Sequence, residues 1–402
     1  MMKRPLLALL ALMTATIMTG CTTEVDGKAV RSGPGTPGGV EVDLLNTGNY
    51  PIKPAAPLGA AGNPQVGARL EGGRMASMVL GPWEVDPTML LPSGYAGILK
   101  PSALGTFVFD EKTGDAANDN GFVTGFTASR RTLDKKKALQ NVALRFPDPA
   151  AAQTAAKAIA ASFLSSDYGK ARTATSIPNH PDTVAVVGKL KYSEGQGANG
   201  ITARGAFVLF QDTEAQSPEE AVALIGAALD KQFPLVDKFV PTDVAALPDM
   251  QRDPTGLLAK TVPTPDKDTS MNQRFVYDRR GGEHFDANPP EIDPLYEKTG
   301  TDLVAINQTV VYQARDAAAA LVLLDGFAKA EVAGEHPSKT VVSVPYMPKS
   351  KCFQSANPST TKLQDSFRCF AVADRYVYQA DAHQLMDVQQ LTAAQYRMLM
   401  NL

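Results

Sequence analysis

The sequence predicts an α+β fold built as two tandem sheet-plus-helix domains. Three observations predict it. Val142, Leu144 and Phe146 alternate with Ala143 and Arg145, the period of a strand, and then feed an Ala-rich helical stretch. Ser217-Pro218-Glu219-Glu220 is a helix start with a capping box and proline at the first helical position. A third unit, Thr309 to Ala330, repeats the first at a fixed offset that carries Val142 to Val310, Asp148 to Asp316 and Ala150 to Ala318. The offset raises the possibility of an old duplication; the plain alternative is that any strand feeding an Ala-rich helix looks this way.

Composition sets the frame. The chain has 402 residues, enough for two or three domains, and 44% of them are hydrophobic against 20% charged, so a real core can form. A formal charge of −3 argues against a nucleic-acid partner, whose binding draws on released counterions.

Residues 1–20 read as an address. Lys3 and Arg4 precede an apolar run from Leu6 to about Ile17, too short to span a bilayer as a helix. The run ends Met18-Thr19-Gly20-Cys21, which resembles the lipobox of bacterial lipoproteins, although Met18 stands where Leu is usual. That resemblance implies cleavage before Cys21, a diacylglycerol on its thiol, and a membrane held through that lipid. Residues 21–40 are small, polar and rich in Gly and Pro, the composition of a flexible tether. Gly33, Gly35 and Gly38 formally spell a dinucleotide fingerprint, but no strand precedes them and prolines interrupt them, so the match carries no chemistry.

The N-terminal domain is expected over 41–248. Gln65 to Val79 reads as a helix behind Pro64, weakened by Gly67, Gly72 and Gly73. Asp110 to Gly121 lacks the acids of a calcium loop, with Ala116 and Thr127 at ligand positions, and reads as a turn between strands. Arg130, Arg131, Lys135, Lys136 and Lys137 read as the polar link between two strands, with contact to anionic headgroups as the alternative. Asp148 caps a helix to about Leu164, Ile201 to Phe210 is expected as one strand, and Ser217 opens the next helix.

The C-terminal domain is expected over 249–402, after the proline-punctuated stretch Phe239 to Gly256. It should close with strands Ser366–Ala371 and Arg375–Gln379 and a helix from about Ala382 to Met400. With Cys21 lipidated, Cys352 and Cys369 remain, and an even pair in an exported chain is a candidate disulfide. A thiol nucleophile served by His336 or His383 lacks any local signature.

Catalytic motifs are absent: no nucleophile elbow, no His-Glu-x-x-His, no phosphate-binding loop. The histidines, His180, His284, His336 and His383, are scattered, so neither a zinc site nor any other cofactor is expected. The one tight acid–imidazole cluster is Glu283, His284 and Asp286 behind Arg279 and Arg280; it is either a pocket lip with acid–base capacity or a solvated loop turning at Gly281-Gly282. Trp83 is the sole tryptophan, a core residue or an aromatic offered to a ligand.

Several short motifs run through the chain: Val42-Asp43-Leu44-Leu45, Gly48-Asn49-Tyr50, Arg74-Met75-Ala76, Asn141 to Pro147, Gln232, Phe239-Val240-Pro241-Thr242, Asp253 to Leu258, the paired cysteines and Thr392 to Tyr396. With the lipobox they make the chain resemble a lipoprotein family of mycobacteria, nocardiae and related actinobacteria. The resemblance implies a mycolic-acid-type envelope as the setting and two tandem domains. It brings no activity, catalytic residue or cofactor. The expectation is therefore a non-enzymatic envelope lipoprotein that binds a ligand or partner at the outer face of the plasma membrane. An envelope-polymer hydrolase or transferase using Glu283, His284 and Asp286, and a structural or sensory module, stand as alternatives.

Overall fold

The structure is a computed structural model that describes residues 39–190, 194–333, 337–355 and 366–402. The expected signal peptide, Cys21, almost all of the tether, and His336 lie outside the described residues.

In chain order the first half comprises α1 (Pro64–Met75), α2 (Pro82–Val85), β1 (Leu91–Pro92), β2 (Gly97–Leu99), α3 (Pro101–Phe107), α4 (Glu111–Asp119), β3 (Thr124–Arg131) and β4 (Ala138–Arg145). It continues with α5 (Pro149–Ser165), α6 (Asp167–Lys170), β5 (Thr173–Thr175), β6 (Val184–Lys189), β7 (Gln196–Arg204), β8 (Phe207–Ala215) and α7 (Pro218–Lys238). The second half comprises β9 (Phe275–Asp278), α8 (Arg279–Glu283), α9 (Pro289–Thr299), β10 (Leu303–Ile306), β11 (Thr309–Gln313) and α10 (Ala317–Val332). It ends with β12 (Lys339–Val341), β13 (Lys351–Ser355), β14 (Ser366–Ala373), β15 (Tyr376–Ala382) and α11 (Leu385–Met400).

Local chemistry starts the helices where the sequence placed them. Asp148 Oδ1 accepts from Ala151 N at 2.8 Å and Asp316 Oδ1 from Ala319 N at 2.8 Å, each satisfying an orphan amide of the first turn. Ser217 Oγ accepts from Glu220 N, but the Glu220 carboxylate reaches Gln216 N, one residue beyond the box position.

Among the described residues each half forms one antiparallel sheet. The first has eight strands in the order β1-β3-β4-β8-β7-β6-β5, with β2 also on β3; the second has seven in the order β12-β13-β14-β15-β11-β10-β9. Read from the other edge, the second order is β9-β10-β11-β15-β14-β13-β12, which repeats the winding of the first apart from β2, a strand with no counterpart in the second sheet. In both, a hairpin feeds a helix, a meander returns its last strand beside the hairpin, and a final helix packs on the opposite face. The α5 face of the first sheet buries Val142, Leu144, Phe146 and Phe210 against Ile159 and Phe163. The α7 face buries Phe126, Ala143 and Leu209 against Ile225 and Leu229. In the second sheet Tyr312, Phe353, Phe370 and Val377 meet α10, while Val311, Tyr378 and Ala380 meet α11. The fold is thus α+β with two tandem domains.

Cys352 and Cys369 sit directly opposite each other on β13 and β14 and are joined in a disulfide, with Cα atoms 4.1 Å apart. The bond lies in the core on the α11 side and staples two neighbouring strands.

Four expectations change. Val40 and Leu45, assigned by sequence to the tether and the first domain, are buried in the core of the second, with Val42, Tyr50 and Ile52 packed beside them. Tyr50 Oη donates to Asp387 Oδ1 at 2.7 Å, so the entry segment belongs structurally to the second domain. Asp110 to Gly121 is no turn: Asp110 accepts from Thr113 N and caps α4. Ile201 to Phe210 is not one strand, because Gly205 adopts φ +55° and folds the run into the β7–β8 hairpin. Glu283 and His284 are not on a solvated loop; both are buried.

Candidate functional site

The two domains meet along a packed seam. Gly73 of α1 lies so close to Phe275 of β9 that a Cβ there would stand 2.5 Å from the ring. Phe275 and Tyr277 are consequently part of the first domain's core. Asn272 continues the seam as a false strand residue: its Oδ1 accepts from Ile98 N at 2.9 Å and its Nδ2 donates to Ala96 O at 3.1 Å. Arg280 pairs with Glu84 across the seam at 2.6 Å.

At one end the seam opens into a cleft of about 660 Å³, within the range of small-molecule sites. Its floor is the α10 face of the second sheet, where Ile306, Val310, Phe370 and Gln379 are reached; Ala330 and Glu331 of α10 form one wall. The opposite wall combines Trp83, Ala128 and Arg130 of the first domain with His284 and Asp286 of the second.

That mixed wall is built from the turn after β9. Asp278 Oδ1 accepts from Gly281 N and starts α8, and Gly282 lets the turn approach Val304, whose Cγ2 would be 2.7 Å from a Cβ. The chain then delivers His284 between Trp83 and Phe126, ring centroids 5.2 and 5.0 Å away. His284 Nε2 lies 3.0 Å from Ala76 O and 3.2 Å from Val79 O. Carbonyl oxygens only accept, so Nε2 carries the proton and Nδ1 is the basic nitrogen. Burial and the nearby Arg280 push the imidazole down to about 3, so it is neutral, and Nδ1 has no partner among the described residues.

Arg130 clamps the same turn. Its Nη2 donates to Asp286 O at 2.6 Å and its Nη1 to Leu90 O at 2.7 Å and Ala287 O at 3.1 Å, with the guanidinium 5.0 Å from the Trp83 ring. The hairpin reading of the basic stretch is right about topology, since β3 and β4 pair across it. Arg130 itself is a buried clamp and no headgroup contact.

Asp286 Oδ1 accepts from Tyr296 Oη at 3.0 Å, while Oδ2 is buried without a partner among the described residues. Burial raises this carboxyl to about 7. Glu283 faces the other way, toward Arg279 and Asp293; burial and the hydrogen bond with Asp293 raise it to about 9, so it holds a proton that Asp293 accepts. The three sequence neighbours therefore enter three environments. His284 hydrogen-bonds neither acid, which removes the local acid–imidazole pair as a catalytic unit. His284 and Asp286, without Glu283, form the polar end of the cleft.

Gln379, Arg368 and Val310 of the floor gave no warning in the sequence. Arg368 sits on the cleft face, bonded to Glu331 and Asp381 at 2.7 Å each. Its only sequence-level signal is alternation with buried Cys369 along β14. Among the described residues no group of three His, Cys, Asp or Glu side chains could hold a metal ion, and no helix is long and apolar enough to cross a membrane.

Comparison with protein families places this architecture. Residues 58–252 match the model described as the N-terminal part of a domain of unknown function, DUF7373, and residues 257–402 match its C-terminal part. The chain belongs to the DUF7373 family. The boundary between the two DUF7373 parts falls in the stretch that crosses the seam, while the entry segment Val40 to Ile52 precedes both parts and completes the second core. No curated protein matches the chain. Among solved structures, the extracellular domain of PknH from Mycobacterium tuberculosis is similar over 39% of this chain and 93% of that chain, at 11% identity and a TM-score of 0.28.

Proposed function

We propose that this DUF7373 protein is a non-enzymatic binding protein of the cell envelope, held at the outer face of the plasma membrane by lipid on Cys21, with its ligand in the inter-domain cleft. The cleft carries the reading: a cavity of about 660 Å³ floored by an uncovered sheet face and ended by a neutral histidine and a raised carboxyl. The apolar part of the floor, Ile306, Val310 and Phe370, supplies affinity by burial, and a few fixed polar atoms supply orientation. The lipobox-like Gly20-Cys21 and the actinobacterial resemblance supply the setting.

Native mass spectrometry of the full chain purified from its own host tests the binding. The wild type is expected to carry a small molecule whose occupancy falls in Ala330→Trp, which narrows the cleft, and in Val310→Arg, which charges its floor. An empty wild type, or equal occupancy in both variants, overturns the reading. Because Trp83 is the sole tryptophan and lines the cleft, its fluorescence should shift when the extracted molecule is added back. For the anchor, Cys21→Ser should release the protein from the membrane fraction; retention there defeats that half of the proposal.

A further inference from the structure

A second cavity of about 630 Å³ lies on the seam away from the cleft, between α1, the entry segment and the stretch leading from the first domain to the second. Leu58, Val66, Leu70, Pro263 and Met398 make much of its lining apolar. Among the described residues four cations face it, Lys53, Arg69, Arg252 and Arg274, and no acidic residue lines it.

The arginines are held in place mainly by carbonyl oxygens, which fix a guanidinium without cancelling its charge. Arg69 Nε donates to Met271 O at 3.1 Å and its Nη2 donates to Gln273 O. Arg252 Nη2 donates to Ala61 O at 2.9 Å. Arg274 Nη2 reaches Thr264 O and Asp266 Oδ1 at 2.5 Å each, but Asp266 is 92% exposed, where an ion pair is heavily screened. Arg274 Nε is buried with no partner among the described residues. Among the described residues Arg69, Arg252 and Lys53 form no ion pair with an acid. Arg69 is disfavoured by burial and by the charges of Arg274 and Arg252. Like charges facing one cavity, two of them on half-buried Arg69 and Arg274, raise the free energy of the empty state unless an anion joins them.

We infer that this cavity binds an anionic amphiphile, its phosphate or carboxylate head on Arg69, Arg252 and Arg274 and its hydrocarbon body on the Leu58, Val66 and Met398 side. Guanidinium groups suit such heads because their planar donors match two oxygens at once. The site is separate from the cleft and stands or falls independently of the binding function proposed above.

The test is calorimetric titration of the full chain carrying Cys21→Ser with dodecyl phosphate below its micelle concentration. Inorganic phosphate serves as the head alone and dodecyltrimethylammonium as the tail with opposite charge. Dodecyl phosphate should bind, the cation should not, and inorganic phosphate should bind at least about tenfold more weakly, since the buried tail contributes several methylenes. Arg252→Gln and Lys53→Gln, both at exposed positions, should each weaken binding, Arg252→Gln by about tenfold, and salt should weaken it further. Arg69→Gln should weaken it most, with circular dichroism confirming the fold. Arg315→Gln on the outer surface and Ala330→Trp in the cleft should leave it unchanged. Flotation with phosphatidylglycerol vesicles separates two sources of the same chemistry: flotation lost in Arg252→Gln marks a bilayer headgroup, and binding without flotation marks a free amphiphile. No binding of dodecyl phosphate, equal binding of the cation, or equal binding by wild type and both exposed variants overturns the inference.

Discussion

The two domains share one winding yet treat the same sheet face differently. In the first, α3 and α4 join α5 over the face that carries Val142 and Phe210, and Phe109 and Phe122 seal it. In the second, the corresponding face carries Val310 and Tyr312, and α9 and α10 leave part of it open as the cleft floor. A repeated unit can thus hold a core in one copy and a site in the other, the difference lying in what the loops between strands place on top.

The shared part extends to single atoms. Gln232 of α7 accepts from Leu80 N and Asn141 Nδ2 through Oε1 and donates to Met78 O through Nε2, at 2.9, 2.6 and 2.6 Å. Gln395 of α11 accepts from Val262 N and Thr309 Oγ1 and donates to Lys260 O, at 2.9, 2.5 and 2.7 Å. Each buried amide bridges the second hairpin strand and two backbone groups of a turn, Met78 and Leu80 in the first domain and Lys260 and Val262 in the second. Asn141 and Thr309 are related by the same offset as Asp148 and Asp316. The copies differ in their strongest fastener: a buried ion cluster in the first, a disulfide in the second.

The largest effect should come from breaking the cluster. Glu71 is fully buried and accepts from Arg145 at 2.7 Å, Arg74 at 2.6 Å, and Thr242 N and Oγ1 at 2.9 Å. Glu71→Ala should cost about 3–5 kcal/mol in urea unfolding, because it leaves the Arg145 guanidinium buried and unpaired. The position in the second domain that corresponds to Arg145 is Gln313, half-buried and bonded to Asp302 rather than to a buried acid, and Gln313→Ala should cost under about 0.5 kcal/mol. Similar losses at the two positions would show that the contrast is wrong.

Next is the disulfide, which closes a loop of sequence separation 17. The double variant Cys352→Ala, Cys369→Ala should lose about 3 kcal/mol, confined to the transition of the second domain. Loss shared by both domains would mean that the seam couples them into one unfolding unit.

The amide clamps sharpen the likeness. Gln232→Ala and Gln395→Ala should each cost about 1–3 kcal/mol by stranding buried backbone groups. A large loss at one and none at the other would break the correspondence between α7 and α11.

The remaining test is a pH slope. Glu283 is held at about 9 against an ordinary 4.5, so its protonated form is favoured by the fold. Its contribution is present at low pH and lost as pH rises from about 4.5 through 9. Asp286 adds the same sign up to about 7, whereas His284, held at about 3, contributes above its ordinary 6.5 and loses that as pH falls. Glu283→Gln should therefore flatten the decline in thermal midpoint on the alkaline side. An unchanged slope would mean that Glu283 is ionised in the folded state.

Much of the fold was legible because its signals are local. Asp148, Ser217 and Asp316 start helices by capping amides three residues away, and the fixed offset between the first and third units anticipated the common winding. The errors share a cause. Asp110 to Asp119 is polar, so nothing in its periodicity announced a helix; its core-facing residues are small, Thr113, Gly114 and Ala117. The run through Gly205 hid a hairpin because a single glycine is the only break in it, with apolar Ile201 on one side and Phe207 to Phe210 on the other. The site was partly legible: Trp83, His284 and Asp286 stood out as a lone aromatic and a tight polar cluster, though the sequence did not relate one to the other.

By itself the sequence determined the strand–helix units, their caps, the pairing of Cys352 with Cys369, and the two-domain plan. These depend on residues near one another in the chain or on composition. Only the tertiary structure decided that Val40 to Ile52 completes the second core, that Arg130 clamps the turn carrying His284, and that Arg69, Arg252 and Arg274 share one cavity. Those groups are far apart in sequence and meet because two packed sheets share a seam, and burial at that seam is what changes their chemistry.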